Sequence, residues 1–154
     1  MLQRLFHIAV NATDLDRSVA FYKKLGFTEL QDRTVTNPAA KVAFAVPSAN
    51  LRFVHLRIGD DEQATLLDVV QWFEPDTAPG PGVLPQHQTG ITRFAVLTDD
   101  TSATYDELVA DGVEFLTTPT TVMTPEGGWK VALALDPDGI VIQITELLPP
   151  DADA

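Results

Sequence analysis

The feature that most constrains this chain is an internal repeat. A constant offset of 86 positions, without a gap, lays Ala9 on Ala95, Val10 on Val96, Asp14 on Asp100, Gly26 on Gly112 and Leu30 on Leu116. Apolar positions between these anchors mostly meet apolar ones. Self-similarity over so long a period constrains a fold more than local propensity does, because each copy must build the same supersecondary unit.

Each copy reads as β-α-β-β-β. Residues 5–10 form a short apolar run with β-branched members, the pattern of a strand buried on both faces. Asp14 or Thr13 caps a helix whose stripe is Leu15, Val19, Tyr22 and Leu25, and Gly26 stops it. A polar strand near an edge follows at 27–36, and Asn37-Pro38 breaks it. The Ala-rich stretch 39–46 is expected as a short helix or covering flap, with strands at 51–58 and 64–72.

The first module is thus 1–73, and a linker at 74–89 carries Pro75, Pro79, Pro81 and Pro85. The second module, 90–148, repeats the order: a strand at 90–98, a helix at 101–111 capped by Asp100, and strands at 113–117, 129–135 and 140–147. Asp136-Pro137-Asp138-Gly139 makes the last turn, and the tail 149–154 is expected to fray. The fold class is α+β, in a single domain of two tandem modules.

Composition excludes several functions. With no cysteine, thiol nucleophiles, thiolate metal sites and iron–sulfur clusters are ruled out, and a reducing cytoplasm suits the chain. Its 22 acidic against 10 basic residues give a formal charge of −12, which disfavours nucleic acid and favours solubility or a cationic ligand. No apolar run is long enough to span a bilayer.

Strand alternation separates two faces. Phe6, Ile8 and Val10 form the set a helix should cover, leaving Leu5, His7 and Ala9 on the other side. In the fifth strand the division is Thr92, Phe94 and Val96 against Ile91, Arg93 and Ala95. In the last strand Ile140, Ile142 and Ile144 oppose Val141, Gln143 and Thr145, while Asp68 interrupts the row of Leu66 and Val70. Four strands therefore each place one polar residue in their middle: His7, Asp68, Arg93 and Gln143.

The two modules, the opening Phe6-His7-Ile8-Ala9-Val10, the helix motif ending in Lys23-Lys24-Leu25-Gly26 and the Asp136-Pro137-Asp138-Gly139 turn resemble the vicinal oxygen chelate superfamily. That group includes glyoxalase I, methylmalonyl-CoA epimerase, extradiol dioxygenases and the bleomycin and fosfomycin resistance proteins. The resemblance implies curled sheets forming a cup with the helices outside, frequent homodimers, and a site inside the cup that takes a small molecule. It also implies metal ligands at the places held here by His7, Asp68, Arg93 and Gln143. Arg93 departs from the pattern, because a guanidinium has no lone pair and stays cationic.

The expectation is accordingly a site without a cofactor, in which Arg93 takes the place of the ion and pairs with Asp68 or an anionic ligand. His7 serves as general base or acid and Asp68 orients it. The enzyme would be an isomerase, epimerase, cyclase or lyase acting on an oxygenated metabolite. The alternatives are a binder that sequesters a drug or metabolite, and a lyase or dioxygenase using a divalent metal on His7, Asp68 and Gln143. A satisfied polar cluster with no chemical role is the plainest reading of the same residues.

Gln143, Phe53, His55, Trp72 and Trp129 are the candidate ligand-lining residues, although a lone histidine and tryptophans are more often packing. Arg33 reaches the rim or faces solvent, with solvent preferred, and His87 is expected exposed. Gly127-Gly128 is a candidate flexible lid.

Overall fold

The structure, a computed structural model, describes residues 1–150, so 151–154 of the expected frayed tail lie outside it. The chain divides into two compact units, residues 1–80 and 81–154, and each is built on its own four-stranded mixed sheet.

In the first unit the elements are β1 (His7–Asn11), α1 (Leu15–Lys24), β2 (Phe27–Val35), α2 (Pro38–Ala43), β3 (Asn50–Ile58) and β4 (Leu66–Glu74). The strand order is β1-β4-β3-β2, with β1 parallel to β4 and the other pairs antiparallel. Helix α1 is the crossover that lets the chain leave β1 and return on the far edge. The expected cap is Asp14, whose side chain accepts the Arg17 amide. A second anchor comes from the sheet: Gln71 Oε1 on β4 accepts the Leu15 amide at 3.0 Å. Leu15, Val19 and Tyr22 of the predicted stripe are buried against Val54, Leu56, Leu67 and Val69 of the sheet.

The second unit holds β5 (Phe94–Leu97), α3 (Thr101–Ala110), β6 (Thr120–Thr124), β7 (Gly127–Leu135) and β8 (Val141–Leu148), in the order β5-β8-β7-β6. Asp100 caps α3 through the amides of Ser102 and Ala103, and Glu146 Oε2 on β8 accepts the Thr101 amide at 3.0 Å. Each helix start is therefore tied to a side chain of its unit's last strand. The registers repeat as well, since Ala9 pairs with Asp68 in one unit and Ala95 with Gln143 in the other.

Three expectations change. The second strand of the second unit is regular at β6, not at 113–117. Residues 114–116 do bond β7, through Leu116 N to Leu133 O and Leu135 N to Glu114 O. The ladder then breaks at Thr117, whose hydroxyl accepts the Leu133 amide, and at Pro119, which has no N–H to give. Phe6 is not covered by a helix; it is half exposed, and its ring lies against His7 and His55. The Gly127-Gly128 pair is no lid, for both residues are buried in the first positions of β7. A Cβ on Gly128 would stand 2.5 Å from the Val122 carbonyl oxygen and 2.5 Å from Met123 Sδ.

The short stretch after Asn37 is helical, as α2, with the Asn37 side chain capping it. No helix among the described residues is long and apolar enough to cross a membrane. Gly128→Ala tests the packed start of β7: it is expected to cost about 1–3 kcal/mol in urea unfolding, because the obstacle is backbone. A mobile lid would accept the methyl group without loss.

Candidate functional site

The face of the first sheet turned away from α1 is where the polar residues gather. On β1 this face holds His7, Ala9 and Asn11. The register sets His55 opposite Asp68 and Gln31 opposite His55, so the three share that face across β2, β3 and β4. Phe53 and Val70 stand beside them.

The donor atoms of His7, His55 and Asp68 all lie within 4.8 Å of one another. His55 Nε2 is 3.5 Å from Asp68 Oδ1, and the two side chains are only 12% and 13% exposed. Gln31 Nε2 donates to His55 Nδ1, which leaves the ring hydrogen of neutral His55 on Nε2, facing the carboxylate. Asp68 Oδ1 is buried and has no hydrogen-bond partner. Aromatic rings close the cluster: Phe53 lies 4.9 Å and His7 5.9 Å from the His55 ring centroid, with Phe6 edge-on at 6.1 Å.

Burial governs both titrating partners. It raises the Asp68 carboxyl above its ordinary range, opposed by the charges of His55 and His7. It lowers His55, opposed by Asp68 and reinforced by His7 and Arg33. The pair thus favours its neutral forms more than the same groups in water would.

The remaining expected residues fall into place by unit. Trp72 sits farther along β4, where its indole N–H donates to Asn11 Oδ1 at 3.0 Å and its ring meets Phe44 edge-on. In the second unit Arg93 Nε donates to Gln143 Oε1 at 2.7 Å and its Nη1 to Gln86 Oε1 at 3.0 Å. Gln143 completes its bonding by donating to Thr145 Oγ1. Trp129 on β7 pairs with Leu147 and is partly exposed.

The units therefore diverge chemically at matching places. Where the first has His55 opposite Asp68, the second has Leu133 opposite Gln143. Sequence reading treated His55 as a lining residue and passed over Gln31. Their signal is a register across β2, β3 and β4, which alternation along one strand cannot supply.

The model of the Glyoxalase/Bleomycin resistance protein/Dioxygenase superfamily matches residues 4–144. The chain belongs to this superfamily. Solved structures of the superfamily fold lie close in shape: a glyoxalase family protein from Bacillus cereus has a TM-score of 0.82 at 16% identity, covering 96% of both chains. The trypanothione-dependent glyoxalase I of Leishmania major gives 0.67 at 20% identity, covering 94% of this chain and 87% of that one. Glyoxalase I from Zea mays gives 0.65 at 21% identity, over 96% of this chain and 45% of the plant one. No curated protein sequence matches. The superfamily fold supports a small-molecule enzyme or binding protein.

Members of the superfamily are often metal-dependent. Two imidazoles and a carboxylate are donors that suit a divalent transition ion, and a carboxylate oxygen without a partner is an atom such an ion would satisfy. His7, His55 and Asp68 fit that role. In the second unit the expected ligand Gln143 already spends its oxygen on Arg93.

A carboxyl with a raised folded pKa lends stability below its unfolded pKa and loses it as pH climbs through the folded one. Asp68→Asn cannot ionise. In buffer containing a chelator it is expected to melt above the wild type at about pH 8, with the gap closing toward about pH 4. Equal Tm values at the higher pH would mean that the ionised carboxylate is not destabilising there.

Proposed function

We propose that the chain is a small-molecule enzyme that moves a proton on an oxygenated metabolite, as an isomerase, epimerase, cyclase or lyase does. The observation that carries this reading is the unpartnered Asp68 Oδ1 facing His55 Nε2, with His7 alongside. A buried carboxyl and an imidazole whose proton affinities are pushed toward each other are the components of acid–base catalysis near neutral pH.

His7 is the exposed member of the group and so the one free to touch substrate. In this reading it takes the proton from the carbon beside the substrate oxygen and returns it. Asp68 stabilises the imidazolium that forms, and the Gln31–His55 pair holds Asp68 in place. In the second unit Arg93 donates to two amide oxygens and, among the described residues, to no carboxylate, which leaves its guanidinium charge able to hold an oxyanion.

A second reading, favoured by the closeness of the three donors, places a divalent ion on His7, His55 and Asp68. Such an ion would polarise a substrate oxygen or acidify a water. The protein's own part would be to hold the ion and to line the site with Phe6 and Phe53.

Metal content and proton exchange separate the two. Wild type and His55→Ala are dialysed against Mn²⁺, Ni²⁺ or Zn²⁺ and analysed for metal, and exchange of a substrate α-proton in D₂O is followed by NMR. An empty wild type whose exchange falls about a hundredfold or more in His7→Ala supports metal-free acid–base chemistry. Near one ion per chain, lost in His55→Ala, transfers the cluster to the metal. Unchanged exchange in His7→Ala with no metal bound sinks both.

A further inference from the structure

The same face of the first sheet carries two arginines that the proton chemistry does not use. Arg33 on β2 is opposite Phe53, and Arg57 on β3 is opposite Thr28, so they flank the His55–Gln31 pair from either end. Residues two apart on a strand share a face about 6–7 Å apart, which puts both arginines on the face of His55, one toward each end of the cluster. Arg33 is close enough to act on His55 by its charge.

Neither guanidinium group makes a hydrogen bond or ion pair among the described residues, and Arg57 Nε is buried without a partner. The opposite face of the sheet behaves otherwise. There Arg52 grips both oxygens of Asp32 at 2.8 and 2.6 Å and also reaches Asp16 at 3.0 Å. Carboxylates are abundant in this chain, 22 against 10 cations, so a buried guanidinium nitrogen could readily have been given one. A polar group left unsatisfied in a folded protein costs stability. The face is short of anions in an acidic protein.

We propose that Arg33 and Arg57 receive the carboxylate of an anionic small-molecule substrate, laying its neighbouring oxygenated carbon over His7, His55 and Asp68. A planar guanidinium holds a carboxylate through two parallel hydrogen bonds, which gives orientation along with affinity. Phe6 and Phe53 offer an apolar wall for the rest of the molecule. The placement of the reacting carbon rests on the proposed proton chemistry; the recognition of the carboxylate does not.

The probes are mandelate and malate, each against its neutral amide, in calorimetric titrations of wild type, Arg33→Gln, Arg57→Gln and Arg57→Lys. The acids are expected to bind at least about tenfold more tightly than the amides. Each change to Gln should remove about tenfold of acid affinity and leave the amides unaffected, while Arg57→Lys keeps part of it. Arg33 is exposed, so its variant remains informative even if Arg57→Gln folds poorly. Acids that bind no better than amides, or a preference that survives undiminished in Arg33→Gln, would overturn the proposal. Acid affinity that follows the arginines in a protein exchanging no proton sustains it and removes the enzymatic reading alone. Proton exchange without any acid preference does the reverse.

Discussion

The parallel pairing of first and last strand is the constraint on which each unit depends. It forces a helical crossover, and the crossover stays in place because its N-terminus is tied to the last strand by Gln71 in one unit and Glu146 in the other. That tie satisfies an amide the helix itself cannot pair. It also sets which face of the sheet receives the helix. Everything on the remaining face, including His7 and Asp68, follows from that choice.

The two faces of the first sheet then divide the chemistry. Toward the helix, Val54, Leu56, Leu67 and Val69 are buried, and charges at the rim are paired, as in Arg52 with Asp32. That bond draws the Asp32 carboxyl below its ordinary range. Away from the helix, titrating and cationic groups are brought together and left partly unsatisfied. Unsatisfied polar groups weaken a fold, and the two buried ones among the described residues, Arg57 Nε and Asp68 Oδ1, both lie on this face, which is the observation behind the proposed site. The second unit carries the simpler set, an arginine held by two amides.

Much of this was legible in the residues. The offset between Ala9 and Ala95 gave both modules, and Asp14, Asp100 and Gly26 bounded the helices, because capping and helix termination are local chemistry. Alternation showed His7 and Asp68 as polar residues in mid-strand, and the resemblance to the superfamily made them candidates. Membership of His55 did not, since it depends on β3 lying between β2 and β4, an order that no single strand encodes. The broken strand before β6 escaped for another reason: Thr117 offers a hydroxyl in place of a backbone group, and alternation is blind to such a substitution. Gly127 and Gly128 misled because a residue without a side chain reads the same whether it bends or packs.

The Gln31 side chain that meets His55 ends in a primary amide. A primary amide is a reversible fitting, with a donor on one side and an acceptor on the other. With its nitrogen toward His55 Nδ1, as here, it keeps the hydrogen on Nε2. With its oxygen there it would accept that hydrogen at Nδ1 and free the Nε2 lone pair for an electron-poor guest. A half-turn of one neutral side chain, with no change in backbone or net charge, is therefore enough to change this imidazole from a proton donor into a ligand.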